Sequence, residues 1–251
     1  MPVETLSKGD KKAQFLVTDS HFSMLNALRR AIITNVKTMA IDDVTIYTNT
    51  SSMYDEILAN RLGLIPLKTI PELEKSKKEV VFSLKEIGPK VVHSGDLKSS
   101  DPDIVPVYDN MVLVSLKIGE SIDLEAKAKF GDGSEHTKFT PAHVFYHFYP
   151  KIEITKENVK NAAQIAEKCP VNILEADGGK LSVKKGQISR CILCKACEEF
   201  AGEDIIKISS DNKKIIFEIE SWGQLSLKQI IDEAFDSLKE EAEAIKDRIT
   251  K

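Results

Sequence analysis

Cysteine is absent from residues 1–168, and all four cysteines of this 251-residue chain fall between 169 and 197. In a chain of this size, expected to carry no leader segment, such clustering points to a metal before disulfides. An excess of basic charge is also missing. Lys and Arg number 35 against 39 Asp and Glu, leaving a net charge near −4, the wrong sign for gripping nucleic acid over a whole surface by counterion release. No eighteen apolar residues run together, and Met1 to Thr5 contains no basic segment leading into an apolar stretch, so the chain is expected to be cytoplasmic and unanchored. The patterns G-x-S-x-G, H-E-x-x-H, G-x-x-x-x-G-K-[ST] and G-x-G-x-x-G do not occur. Nucleophile elbow, zinc protease, P-loop and dinucleotide fold therefore lack their sequence signal. No pair of carboxylates stands out either, and the chain by itself is expected not to be an enzyme.

What is present is an ordinary globular composition, 42% hydrophobic and 29% charged, sufficient for a real core. Residues 13–19 predict a short strand, after which Asp19 and Ser20 offer N-cap oxygens to a helix. In that helix Phe22, Leu25, Leu28, Ile32 and Val36 recur at spacings of three and four, beside the basic Arg29, Arg30 and Lys37. Ile41 to Thr48 predicts a strand, and Tyr54 to Gly63 a short helix with Gly63 as C-cap. Glu72 to Glu79 marks a charged loop. From about 80 to 150 the period changes to two, as in Ile122, Leu124, Ala126 and Ala128, with turns at Gly88-Pro89, Ser100-Asp101-Pro102 and Gly131-Asp132-Gly133. Lys214 to Ser221 alternates again. Ser226 with Gln229 forms a capping-box signature. It opens a helix whose stripe, Leu227, Ile230, Ile231, Ala234, Phe235, Leu238, Ala242, Ile245 and Ile249, exceeds what a strand pair beside it can cover. The acids Asp232, Glu233, Asp236, Glu240, Glu241 and Glu243 fall on its solvated face.

Between 155 and 205 large apolar residues are too sparse for folding by burial alone, and the segment needs a staple. Its cysteines are Cys169-Pro170 and then Cys191-x-x-Cys194-x-x-Cys197. A bacterial-type ferredoxin repeats C-x2-C-x2-C-x3-C-P, and the fourth cysteine of each run ligates the cluster of the other run. Projected back from Cys169, the first run has Val159, Ala162 and Ile165 where its ligands would stand, and the second has Ala201 at its fourth position. The survivors, Cys169, Cys191, Cys194 and Cys197, are the complete three-plus-one set for one [4Fe–4S] cluster, or [3Fe–4S] after oxidation. The rival readings are a four-thiolate zinc, which usually draws on two C-x2-4-C knuckles, and a disulfide with two free thiols. Because the module scarcely has a core, ligation energy is expected to be a large part of its folding energy.

Asn26 to Ile32 (NALRRAI), Asp55 to Leu67 (DEILANRLGLIPL), Ser94-Gly95-Asp96-Leu97 and Gly131 to Pro141 (GDGSEHTKFTP) resemble the D-subunit family of archaeal RNA polymerases, related to the bacterial α subunit and the eukaryotic third-largest subunit. The resemblance covers nearly the whole chain. It implies an α+β fold with a dimerisation domain split between the chain ends (1–47 plus 206–251), an inserted β-rich domain (48–154) and a small ferredoxin-like domain (155–205). It also implies a heterodimer with a small L-type subunit, on which the two large catalytic subunits of a DNA-directed RNA polymerase assemble. DNA would be met only through the complex. By position, Phe22, Leu25, Leu28 and Ile32, with Leu227, Ile231, Phe235 and Leu238, are the expected dimer core. Arg29 and Arg30 are either a solvated face or a large-subunit contact. His136 and Lys138 are expected to do no more than bond within their loop. The zinc site of the eukaryotic relatives' insertion has no cysteines here. Two alternatives are a ferredoxin-like electron-transfer subunit of a redox enzyme, which leaves about 200 residues without a role, and a nucleic-acid-binding module using Arg29 and Arg30.

Overall fold

The computed structural model describes residues 2–76, 79–156 and 158–249. In chain order its strands are β1 (Val3–Lys8), β2 (Lys12–Thr18), β3 (Thr38–Asn49), β4 (Val80–Ile87), β5 (Lys90–His93), β6 (Lys98–Ser99), β7 (Val112–Leu116), β8 (Ser121–Gly131), β9 (Ala142–Ile154), β10 (Leu174–Asp177), β11 (Lys180–Val183) and β12 (Ile206–Ser221). The helices are α1 (Phe22–Thr34), α2 (Asp55–Gly63), α3 (Ala162–Glu167), α4 (Ala196–Ala201) and α5 (Leu227–Ile249). The fold is mixed α and β, and it divides into two compact units. One comprises residues 1–6, 14–25 and 146–218, the other residues 7–13, 26–145 and 219–251.

The second unit is built on a sheet of order β3-β8-β4-β6. Antiparallel pairing sets Ile46 opposite Leu124 and Leu84 opposite the same Leu124. The period-two residues Ile122, Leu124, Ala126 and Ala128 consequently share one buried face with Met39, Ile41, Val80 and Phe82. α2 closes this face with Leu58 and Leu62, and Ile65 and Leu67 follow it into the same core. Arg61 is spent on structure too, donating to the Leu113 carbonyl at 2.9 Å. Gly63 proves to be the last helical residue, with Leu64 as C-cap in the right-handed region, so no left-handed glycine ends this helix. The charged stretch from Glu72 begins as a 3-10 turn, Pro71–Ser76; Lys77 and Lys78 lie outside the described residues.

The Gly-Asp-Gly turn is a packing device. A Cβ on Gly133 would stand 1.9 Å from the Ile33 carbonyl oxygen, and one on Gly131 would stand 2.6 Å from the Phe139 ring. Asp132 accepts from the Ser134 and Glu135 N–H groups at 3.0 and 3.2 Å, which holds its carboxyl below the usual carboxylate range together with the Ser134 hydroxyl. His136 Nδ1 faces the Lys138 N–H at 3.1 Å, the within-loop bonding expected of it.

The long helix begins where the capping box placed it. The Ser226 N–H donates to Gln229 Oε1 at 3.0 Å, and the Gln229 N–H donates back to Ser226 Oγ at 3.3 Å. For α1 the expectation of Asp19 or Ser20 as cap is corrected. His21 occupies that place, its Nδ1 3.3 Å from the Ser23 N–H, while Asp19 adopts a left-handed φ of 52° and belongs to the turn before the helix.

The first unit carries the cysteines. Most of a second four-stranded sheet, order β1-β2-β12-β9, is built from its residues, and the β10-β11 hairpin adds two strands. Ala162, Ile165, Ile173, Leu174 and Leu181 bury together with Cys191 and Cys197, and with Ile206 and Ile208 of β12. Ile152 and Ile154 of β9 pack against the same cluster. The large side chains that 155–205 lacks are thus supplied by strands on either side of it in sequence.

Candidate functional site

Cys191 and Cys194 sit on the loop that enters α4, Cys197 lies in the first turn of α4, and Cys169 follows α3. Two residues between them, Leu193 and Lys195, have left-handed φ values of 57° and 60°, a conformation that costs a non-glycine residue about 1–2 kcal/mol. Alternation of this kind winds the chain so that successive N–H groups face one concavity, the nest found at many Fe–S sites. The Leu193 N–H is bonded to Cys191 and the Glu198 N–H to Cys197. All four cysteines line one cavity, whose other walls include Ile152, Val171, Ile173 and Ile208.

None of the four is in a disulfide, and exposure grades from buried Cys191 and Cys197 through Cys169 to exposed Cys194. Burial pushes the Cys191 thiol up and the Cys197 thiol up to about 11, against the opposing N–H bonds. Beside them Glu198 is buried and accepts from the Ile208 N–H, which holds its carboxyl low and ties α4 to β12. Among the described residues, no three His, Cys, Asp or Glu side chains are gathered tightly enough to grip a metal ion as they stand. The donor chemistry still fits a thiolate-held centre. Four sulfurs share an apolar cavity, and backbone N–H groups point at two of them.

The helical residues divide. Leu25, Leu28, Ile32 and Leu227 are buried within the chain, so their apolar surface is already covered without a partner. Phe22 of α1 is exposed, Ile231 and Leu238 of α5 are half-buried, and Phe235, Ile245 and Ile249 are 42, 61 and 78% exposed. Asn35, just after α1, donates to Ser237 Oγ at 2.8 Å and Glu241 Oε1 at 2.7 Å; every described residue of α5 from Lys239 onward is exposed. Arg29 is half-buried and turned onto Asn26 Oδ1 at 3.0 Å, whereas Arg30 is exposed. Met24 is also exposed on α1; it stands four residues before Leu28, so the same spacing could have found it.

The profile of the RNA polymerase Rpb3/Rpb11 dimerisation domain matches residues 14–242. The chain belongs to that family. It is 38% identical over 264 residues to the DNA-directed RNA polymerase subunit Rpo3 of Methanosphaera stadtmanae, covering 98% of this chain and 97% of the relative. Rpo3 of Pyrococcus furiosus is 36% identical over 251 residues, with 96% and 94% covered. For Rpo3 of Archaeoglobus fulgidus the identity is 35% over 254 residues, with 96% and 95% covered. The profile spans both α1 and the first part of α5. Among the described residues no helix is long and apolar enough to cross a membrane.

Proposed function

We propose that this chain is a non-catalytic assembly subunit of an archaeal DNA-directed RNA polymerase, and that it pairs with a small L-type subunit to form the platform for the large catalytic subunits. The observation that carries this reading is the apolar stripe of α5, which continues through Phe235, Ile245 and Ile249 after the chain's own covering has ended. Such a stripe gains about 25 cal/mol per Å2 when a partner covers it, and the full-length likeness to Rpo3 subunits supports a polymerase partner. The proposed pairing residues are Phe22, Ile231, Phe235 and Leu238, which retain open surface, and Leu25, Leu28, Ile32 and Leu227, which are buried. Arg30, exposed on α1, is a large-subunit contact, and Arg29 is held back by Asn26. In domain terms the pairing part is 1–47 plus 206–251, the β-rich insertion 48–154, and the cysteine module 155–205.

The cysteine module is proposed to be ferredoxin-like, with Cys169, Cys191, Cys194 and Cys197 as ligands of one [4Fe–4S] cluster. The cluster would supply a covalent cross-link among α3, α4 and the loop between them. The chain's own residues exclude water through Ile152, Val171, Ile173 and Ile208, and hold thiolate charge through the Leu193 and Glu198 N–H groups. The electron-transfer alternative leaves the β-rich core and both helical faces without a role.

Sedimentation of the chain with and without the L-type subunit tests the platform. A one-to-one complex is expected; a chain that stays monomeric and indifferent to the partner overturns it. Anaerobic purification with iron, sulfide and zinc analysis and electron paramagnetic resonance tests the module. Equal iron and sulfide are expected, and zinc in their place overturns the cluster.

A further inference from the structure

Glu198 is the most buried carboxylate among the described residues, 6% exposed, and it follows Cys197 directly in α4. A helix of six residues has too little hydrogen bonding of its own to stand unaided, so the placing of Cys197 depends on what ties α4 down. Glu198 supplies several of those ties. Its carbonyl accepts from the Gly202 N–H at 2.7 Å and closes the end of the helix. One carboxylate oxygen accepts from the Ile208 N–H of β12, and the other accepts from Lys195 Nζ at 3.1 Å.

Both carboxylate bonds end on residues that line the cysteine cavity, Lys195 and Ile208. Lys195 stands between Cys194 and Cys197 with a left-handed φ of 60°, so its conformation sets the angle at which the chain turns from one thiol to the other. A non-glycine residue keeps such a conformation only where its surroundings over-determine it. Lys195 is held at its carbonyl by the Glu199 N–H at 2.9 Å and at its ammonium by Glu198. Ile208 is buried and closes the cavity from β12. An apolar side chain would fill the place of Glu198 at a smaller desolvation cost, but it would leave the Ile208 N–H and Lys195 without this acceptor. What the buried carboxylate contributes is alignment.

We propose that Glu198 is a positioning residue for the thiolate-held cluster: its carboxylate fixes the left-handed turn at Lys195 and the Ile208 wall, and through them the direction in which Cys194 and Cys197 present their sulfurs. The proposal rests on the cluster reading and gives Glu198 no bond to the metal. The role requires reach more than charge. Glu198→Gln keeps an acceptor at the same distance for the Ile208 N–H, and Lys195, whose side chain is 54% exposed, can turn its ammonium into water. Glu198→Asp keeps the charge and withdraws both oxygens by one methylene. The full-length chain is purified anaerobically, and iron release to an excess of ferrous chelator is followed together with the visible circular dichroism per bound iron, which reports how the thiolates are turned about the metal. Glu198→Asp should release iron about tenfold faster with a changed dichroism, whereas Glu198→Gln should lose only about threefold and keep the wild-type dichroism. Glu198→Asp with wild-type release and dichroism overturns the role even if its melting temperature falls, because a mere tie between helix and strand would move only the melting temperature. Equal acceleration in the two variants also overturns it, since charge and not reach would then be what matters. If Glu198→Asp accumulates no loaded chain, the same variant combined with Lys195→Gly decides. Glycine adopts the left-handed turn without strain, so recovery of iron is expected, and none overturns the role. A wild-type chain that holds zinc, or no metal, overturns the cluster reading and this inference with it; a loaded wild type beside an indistinguishable Glu198→Asp overturns this inference alone.

Discussion

Between Thr38 and Gly131, the described residues bury Phe82, Leu58, Leu62, Leu84, Leu124 and many others in one apolar cluster, all supplied from within that stretch. The segment 155–205 buries a smaller set, two of its members are cysteines, and it takes Ile206, Ile208, Ile152 and Ile154 from the strands on either side. The first region is held by area removed from water. The second has too little area of its own and places polarizable thiols where a core would put leucines. On the proposed cluster reading, the contrast is between a module specified by burial and one specified by ligation, where apolar periodicity is weak.

The sharpest way to break this comparison is Cys191→Ser. On the proposed cluster reading, loss of one thiolate ligand should forfeit part of the ligation energy that holds the segment. Limited proteolysis should then cut within 155–205 and spare 38–131. A segment that stays equally resistant would show that borrowed burial suffices.

The reciprocal variant is Phe82→Ala at a fully buried position. It should cost about 3–5 kcal/mol in urea unfolding with iron content unchanged. Phe235→Ala extends the contrast to surface that is not yet buried. It should change the chain's own stability by less than about 0.5 kcal/mol and weaken pairing with the L-type subunit by about 2 kcal/mol, read by titration calorimetry.

The smallest effect belongs to the charges around the β-rich core. Asp42 pairs with Lys138 and with Lys129, and the Lys138 bond foremost holds its carboxyl below the ordinary range. A depressed folded-state value contributes stability above the unfolded carboxylate range, and this is lost as pH falls through the folded value. Asp42→Asn should therefore cost about 1 kcal/mol at neutral pH. The gap from wild type should close on acidification, as followed by thermal melts from pH 7 downward.

Much of this was legible in advance. The capping box at Ser226 and Gln229, the period-two run from Ile122 and the stripe on α5 are local patterns, and each formed where it was read. The motifs that carried the family likeness proved mainly structural. Leu58, Leu62, Ile65 and Leu67 fill the core, and the Gly-Asp-Gly turn packs under the Ile33 carbonyl. The cap at His21 was not legible, because a histidine ring carries no strong cap preference. The bond from the Ile208 N–H to Glu198 was equally hidden, because spacing does not say which buried carboxylate meets which strand.

The order of residues was enough to indicate the period-two strands, the capping box of α5, the cysteine spacing and the family likeness, because each depends on neighbours a few positions apart or on a pattern read along the chain. Folding in three dimensions decided which half of each apolar stripe is already covered, that four cysteines line one cavity, and that one buried carboxylate ties α4 to β12. Those outcomes depend on how much surface remains to be buried once distant segments have met, and no local pattern encodes that remainder.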